Sequence, residues 1–377
     1  MESNATNIHV ISFDVPFPPT YGGVIDVYYK IRALHAKGVR VHLHCFQYGR
    51  EQSSQLDQVC ASVHYYARNV SRAQLFTKWP YIVKSRQSEK LVEALIKDDF
   101  PIVFEGLHTC GILDDPRLSG RFKIVRTHNV ESDYYRSLAK VERNIFKRYY
   151  FHNEASKLEA FEPVLAKADA IAAISRNDTD YFDKKYKNAF YIPAFHSNEK
   201  VQIRPGKGKF ALYHGNLAVG ENNEAALYLV NKVFQSSEIP LMIAGSRPSK
   251  ELRQAVLKKN HITLLSDLST RQIHDLIRDA QVNILPTLQP TGIKLKLLSA
   301  LYNGRFAVVN TPMVENTGLE ELCHVADDPD ETRRVVERLM ETDFSSEEIS
   351  LREKILGNSF SNDINVQKLL NLVTSHH

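Results

Sequence analysis

The sequence predicts an α/β protein of two doubly wound domains, and three observations predict it. The chain has 377 residues, more than one hydrophobic core usually carries. Short apolar runs alternate with amphipathic helical patterns, as in a parallel sheet with helices on its faces. That rhythm halts in a polar loop punctuated by Pro and Gly, "HSNEKVQIRPGKGK" (196–209), and then begins again.

Taken in order, "IHVISFDV" (8–15) reads as a buried strand. A loop with Gly22 and Gly23 leads into an amphipathic helix in which Val24, Val27, Tyr28, Ile31 and Leu34 share a face, and Gly38 caps its end. Strands follow at 39–46, 101–107 and 122–130. A single long helical pattern then runs from about Glu131 to Lys167, with strands at 168–175 and 189–195 after it. Beyond the polar loop, strands are expected at "FALYHGNL", "IPLMIAGS", "HITLLSD", "QVNILPT" and "RFAVVN", with helices between them and a helix-rich end.

Composition narrows the class. The chain is 43% hydrophobic and 24% charged with a net charge of +4, mildly basic and far from a dedicated nucleic-acid binder. It contains no run of roughly 18 apolar residues. The segment "MESNATNIHVISFDV" lacks a basic n-region and a cleavage site, so it is not read as a signal peptide, and a cytoplasmic protein is expected. Cys45, Cys60, Cys110 and Cys323 lie far apart without CxxC spacing, which indicates neither a disulfide framework nor a metal site.

In open parallel sheets, ligands bind beyond the carboxyl ends of the strands. In the first half those ends carry Gly22, Gly23, Glu105, His108, Arg126, His128, Asn129 and Glu131. In the second they carry His214, Gly215, Asn216, Gly245, Ser246, Arg247, Pro286, Thr287, Gly292, Lys294 and Lys296. Glycines before a helix admit a close backbone approach, and a helix N-terminus favours an anion. The same glycines would also serve a plain strand-to-helix turn.

The second half's "YHGNL", "IAGSRPS", "ILPTLQPTGIKLKLLSALYNGRFAVVNT" and "NTGLEEL" resemble the donor-binding half of GT-B glycosyltransferases. The likeness is to the large retaining, family-four-like group that includes many bacterial polysaccharide enzymes. "PFPPTYGGVIDVYY" and "RTHNVESDYY" resemble that group's acceptor-side half. The ordered set covers nearly the whole chain and is similar in particular to surface-polysaccharide glycosyltransferases of Bacteroides-type bacteria.

The resemblance implies two Rossmann-like domains facing across a cleft: residues 1–198 on the acceptor side, 199–350 binding the donor, and 351–377 as a helix packing back on the first domain. It implies transfer of a sugar from a nucleoside-diphosphate sugar to a hydroxyl of a glycan or lipid-linked acceptor, with retention of configuration. No metal ion or other cofactor is expected, and no nucleic-acid partner. His128, Lys296 and Glu105 are expected at the chemistry. Gly22, Gly23, Gly215, Asn216, Arg247, Gly292, Lys294 and Ser299 are expected at the donor, and His108, Arg126 and Glu131 on the acceptor side. Lys294 and Lys296 lie two positions apart on a helix and point to opposite sides, so Lys296 is favoured as the diphosphate ligand and Lys294 reads equally well as surface.

Two departures from the group's pattern stand out. The group's helix usually reads Lys-x-x-Glu, its Glu accepting from both ribose hydroxyls, and here Ser299 replaces that Glu. Many members also place an Arg and a Lys after the glycine at 215, where this chain has "GNLAVGENNEAA". A catalytically degenerate GT-B scaffold and a nucleotide-sugar epimerase therefore stand as alternatives. A pyridoxal-phosphate phosphorylase would be far longer, and no G-x-G-x-x-G follows a strand as an NAD enzyme requires. The segment 143–157 interleaves bases and aromatics. It reads either as an interfacial face at the inner membrane for a lipid-linked acceptor or, preferred here, as a helix packing Phe146, Tyr149 and Tyr150 onto its own domain.

Overall fold

Fully buried strands set the architecture. A computed structural model describes residues 6–142, 144–287 and 295–374. Its first sheet holds seven strands: β1 (Asn7–Ser12), β2 (Arg40–Gln47), β3 (Ser62–Ala67), β4 (Ile102–Glu105), β5 (Lys123–Thr127), β6 (Ala170–Ala173) and β7 (Ala189–Tyr191). All pairings are parallel and the order is β3-β2-β1-β4-β5-β6-β7. Side chains alternate between two cores. Ile8, Val10, Val103, Ile124 and Ala172 face one; Ile11, Phe104, Val125 and Ile171 face the other. The helix Gly22–Ala36 covers the first face with Val24, Val27, Ile31 and Leu34.

The second sheet repeats the plan with β8 (Ala211–His214), β9 (Leu241–Ala244), β10 (Ile262–Leu265), β11 (Val282–Ile284), β12 (Phe306–Val309) and β13 (His324–Val325), ordered β10-β9-β8-β11-β12-β13. In each sheet the strand order reverses beside the first strand, at β1/β4 and at β8/β11, the switch point where such sheets open a crevice.

The chain divides into two compact units after Ser197, and the stretch from Phe360 onward belongs with the first. The helix Asn362–Thr374 lays Val366, Leu369 and Val373 on the first core, each buried side chain contributing about 1.5–3 kcal/mol. The expected start of this returning segment, residue 351, comes too early. The helix Ser346–Ser359 stays with the second unit, where the buried Arg352 donates to the carbonyls of Leu301, Gly304 and Arg305.

Two expectations change. The pattern from Glu131 to Lys167 is a hairpin of two helices, Glu131–Val141 and Ile145–Phe161, followed by a 3₁₀ turn that Pro163 enters. Glu142 is extended, and the Asn144 side chain accepts from the Phe146 and Lys147 N–H groups to start the second helix. At that start the preferred packing of the aromatics fails. Ile145 is 63% exposed, Phe146 82% and Tyr149 74%, and only Tyr150 is half-buried.

Candidate functional site

In the first unit the strand ends assemble a buried ionic network. Arg126, at the end of β5, donates to both oxygens of Asp26 at 2.8 and 3.0 Å and to the carbonyls of Ile192 and Pro193. Lys30, one turn beyond Asp26 on the first helix, pairs with Glu105 at the end of β4 and lies 3.5 Å from Asp26. Asp26 also accepts from the Phe195 N–H at 2.8 Å. Burial pushes the Asp26 carboxyl up, but Arg126 and Lys30 outweigh it and hold the group far below the usual carboxylate range. Two carboxylates and two cations therefore balance inside the fold.

His128 stands on top of this network. Its Nε2 lies 3.3 Å from Glu105 and 4.0 Å from Asp26, while its Nδ1 has no hydrogen bond among the described residues. Glu105 is wholly buried and touches no surface; it orients the His128 ring and is not itself placed to meet substrate. Arg126 is 1% exposed with its donors spent on Asp26 and carbonyls, so its expected place facing an acceptor is replaced by a structural one. Ligand atoms of Asp26, Glu105 and His128 lie within 4.8 Å of one another, but Lys30 and Arg126 already hold both carboxylates.

Phe13 links this group to its neighbours. Its ring stands edge-on to His128 at 5.6 Å and 5.3 Å from His108. It also explains Gly23: a Cβ there would lie 2.6 Å from the Phe13 ring tip. Gly23 thus admits a side chain of its own domain, which corrects its reading as a bare approach for phosphate. Gly22 opens the helix, exposed, with no side-chain cap from Tyr21 and no acidic residue in the first turn.

His108 Nδ1 lies 3.9 Å from Glu131. Burial, and then the nearby Arg86 charge, push His108 well below its ordinary range. Burial, reinforced by Asp178, raises the Glu131 carboxyl to about 8 against the pull of Arg86. Near neutrality this pair is therefore mostly uncharged, a proton-holding carboxyl beside a neutral imidazole.

The second unit's strand ends are organised by amides. Lys296, in the first turn of the helix Leu295–Asn303, donates to Asn222 Oδ1 at 3.3 Å and lies 5.5 Å from the Tyr213 ring centre. Asn222 donates to the Asn216 carbonyl at 3.0 Å, and the Asn216 side chain accepts from Ser246 at 3.0 Å. Buried His214 is pushed down to about 3 by burial and then by Lys296. The Gly215 N–H donates to the Ala244 carbonyl at 3.0 Å, so it extends the sheet and is not offered to a phosphate as expected. At Gly245 a Cβ would stand 1.9 Å from the Gly215 carbonyl, which demands glycine there.

Arg247 is exposed, at a φ of 52°, and has no partner among the described residues. Ser299 is half-buried, and its carbonyl accepts from Asn303. Gly292 and Lys294 lie outside the described residues. Sequence reasoning missed Asp26 and Lys30, although an acid and a base four apart on an apolar helix face were the available signal. It also missed Phe13 and Asn222, which carry no such mark.

No protein-family model matches the chain. An uncharacterized 44.6 kDa protein from the cps region of Klebsiella pneumoniae is 28% identical over 332 residues, covering 82% of this chain and 84% of the relative. Among solved structures, sucrose-phosphate synthase from Thermosynechococcus elongatus superposes with a TM-score of 0.69 at 16% identity, covering 98% of this chain and 99% of that one. Anabaena HepE in complex with UDP and glucose gives 0.68 at 11%, over 97% and 99%. The lipopolysaccharide outer core galactosyltransferase WaaB gives 0.64 at 12%, over 99% and 100%. At these identities the likeness is one of fold, and the chain has the GT-B fold.

Proposed function

We propose that this protein is a glycosyltransferase of surface-polysaccharide synthesis. It moves a sugar from a nucleoside-diphosphate sugar to a hydroxyl of a glycan or lipid-linked acceptor, with retention of configuration and without a metal ion. The observation that carries this reading is Lys296, held by Asn222 and the Tyr213 ring at the strand ends of the second unit. The cps-region relative supports the setting, and the UDP complex of the similar HepE structure supports the kind of donor.

The bond from C1 of the sugar to the diphosphate breaks, and a bond from C1 to the acceptor oxygen forms on the same face. The hydroxyl proton ends on the departing phosphate. Charge gathers on the leaving diphosphate, where a fixed cation stabilises the transition state most. Lys296 supplies that cation, and in the first unit Glu105 orients the His128 ring. With a nucleoside-diphosphate sugar as donor, Lys296→Ala should lower turnover about 10²-fold without lowering the unfolding midpoint. Unchanged turnover would place the diphosphate elsewhere.

A cytoplasmic protein touching the inner membrane face belongs to the same proposal. Among the described residues no helix is long and apolar enough to cross a bilayer. Exposed Ile145, Phe146 and Tyr149 beside Lys147 and Arg148 instead suit an interfacial contact with anionic lipid, which flotation with anionic and neutral vesicles tests. Ser299 favours a second reading, a nucleotide-sugar-binding protein without transfer. Hydrolysis of the donor in the absence of acceptor separates it from the first.

A further inference from the structure

Three arginines gather near the strand ends of the first unit, and the established network uses none of them. Arg68 follows β3, and its Nε donates to Ser85 at 2.9 Å. Its guanidinium lies 4.7 Å from the ring centre of Tyr48 and 5.2 Å from that of Tyr81. Arg86, next to Ser85, is 7% exposed. It donates from Nε to the Phe13 carbonyl at 2.8 Å and from Nη1 to the Ile82 carbonyl at 2.7 Å. Arg50 donates to the carbonyls of Val15 and Pro18 and to Thr20.

Among the described residues Arg68 and Arg86 have no carboxylate partner. Both terminal nitrogens of Arg68 and Nη2 of Arg86 have no hydrogen bond there. Capping the carbonyls of Ile82 and Phe13 accounts for two donors of Arg86. It does not account for a second guanidinium brought alongside through Ser85, because adjacent like charges with little solvent between them repel.

Nearby acids offset this charge only in part. Asp14, which accepts from the Tyr21 hydroxyl at 2.8 Å and the Val15 N–H at 2.9 Å, acts on Arg86 from beyond ion-pair distance, and Glu131 keeps its proton up to about 8. Phe13 joins this surplus to His128, since its carbonyl holds Arg86 and its ring packs against the imidazole.

We propose that Arg68 and Arg86, flanked by the faces of Tyr48 and Tyr81, seat an anionic group of the acceptor. This rests on the glycosyltransferase reading for the word acceptor, not for the site itself. The chemistry fits a carboxylate or a phosphate: guanidinium forks bind either oxygen pair, and aromatic faces pack on the sugar or stem that bears it. An acidic sugar and a lipid-linked sugar phosphate both present such a group.

Calorimetry on the full chain tests it with D-glucuronate, inorganic pyrophosphate and D-glucose, using the parent, Arg68→Gln and Lys296→Ala. Arg68 is half-exposed and its replacement leaves Arg86 and its caps intact. At least one anion should bind the parent tenfold or more tightly than glucose, and Arg68→Gln should weaken it about tenfold. Lys296→Ala should leave glucuronate binding, and the share of pyrophosphate binding that Arg68→Gln removes, unchanged, while UDP should bind Arg68→Gln as it binds the parent. A preference for glucuronate would support an acidic sugar as the source, and one for pyrophosphate a phosphate-bearing acceptor. The proposal is overturned if neither anion exceeds glucose, if Arg68→Gln binds like the parent, or if only Lys296→Ala loses the anion. Anion binding that depends on Arg68 in a protein that binds none of UDP, GDP, ADP and dTDP would uphold the site and remove the glycosyltransferase reading.

Discussion

The two units end their strands alike and charge those ends differently. In the first, Asp26, Lys30, Glu105 and Arg126 pair with one another inside the fold. In the second, Lys296 rests on an amide and an aromatic face, and Arg247 stands in solvent. A buried charge without a partner is expensive, so the first set must complete itself before any ligand arrives. The first arrangement spends its charges on one another and fixes positions, whereas the second leaves Arg247 exposed to solvent.

The comparison breaks most sharply at Arg126. Arg126→Ala would leave buried Asp26 with Lys30 at 3.5 Å, the Phe195 N–H and His128 but without its bidentate guanidinium, and should cost about 3–5 kcal/mol of stability, read from denaturant unfolding. A loss below 1 kcal/mol would mean that the network is wet and the contrast false.

Glu131 comes next, and its sign follows from linkage. Unfolded, this carboxyl ionises near its ordinary 4.5; folded, it holds its proton to about 8. Between those values the folded state binds more protons, so stability falls as pH rises through the window and levels off above it. Glu131→Gln should flatten that slope and gain stability at pH 8. Parallel melting curves from pH 5 to 8 for the two proteins would show that the carboxyl ionises freely.

At Gly23 the expected effect is smaller. Gly23→Val drives a side chain into Phe13 and should cost about 1–3 kcal/mol as overpacking, with turnover falling because Phe13 carries His128. A variant melting like the parent but dead in transfer would return the glycine to the phosphate. Ser299→Glu is the mildest change. If the ribose lies beside this helix, the carboxylate should tighten nucleoside-diphosphate binding by about 1 kcal/mol with turnover little altered. Calorimetry showing weaker binding would place the ribose elsewhere.

Much of the fold was open to reading because β4, β5 and β6 are short runs buried on both faces, which leave few alternatives. β3 was overlooked because Ser62–Ala67 is an edge strand, half exposed, with His64 pointing out. The residues at the strand ends were legible as a set, since glycines and polar groups cluster where apolar runs stop. Their division of labour was not. Arg126 and His128 sit two positions apart and read alike, yet Arg126 spends its donors on Asp26 and backbone carbonyls while His128 keeps Nδ1 without a hydrogen bond among the described residues. The partner that takes up Arg126 is Asp26, a hundred residues earlier.

The returning helix Asn362–Thr374 has a consequence for synthesis. Its Val366, Leu369 and Val373 complete a core begun by the helix Gly22–Ala36, but everything from Asn198 to Ser359 is translated between them. At ordinary rates that interval lasts roughly 10–30 s. Throughout it, the first unit emerges with an apolar stripe that nothing in its own sequence so far can cover. An apolar stripe of that kind is the surface a holding chaperone binds, and a pause placed after Ser359 would lengthen its exposure without altering a single residue.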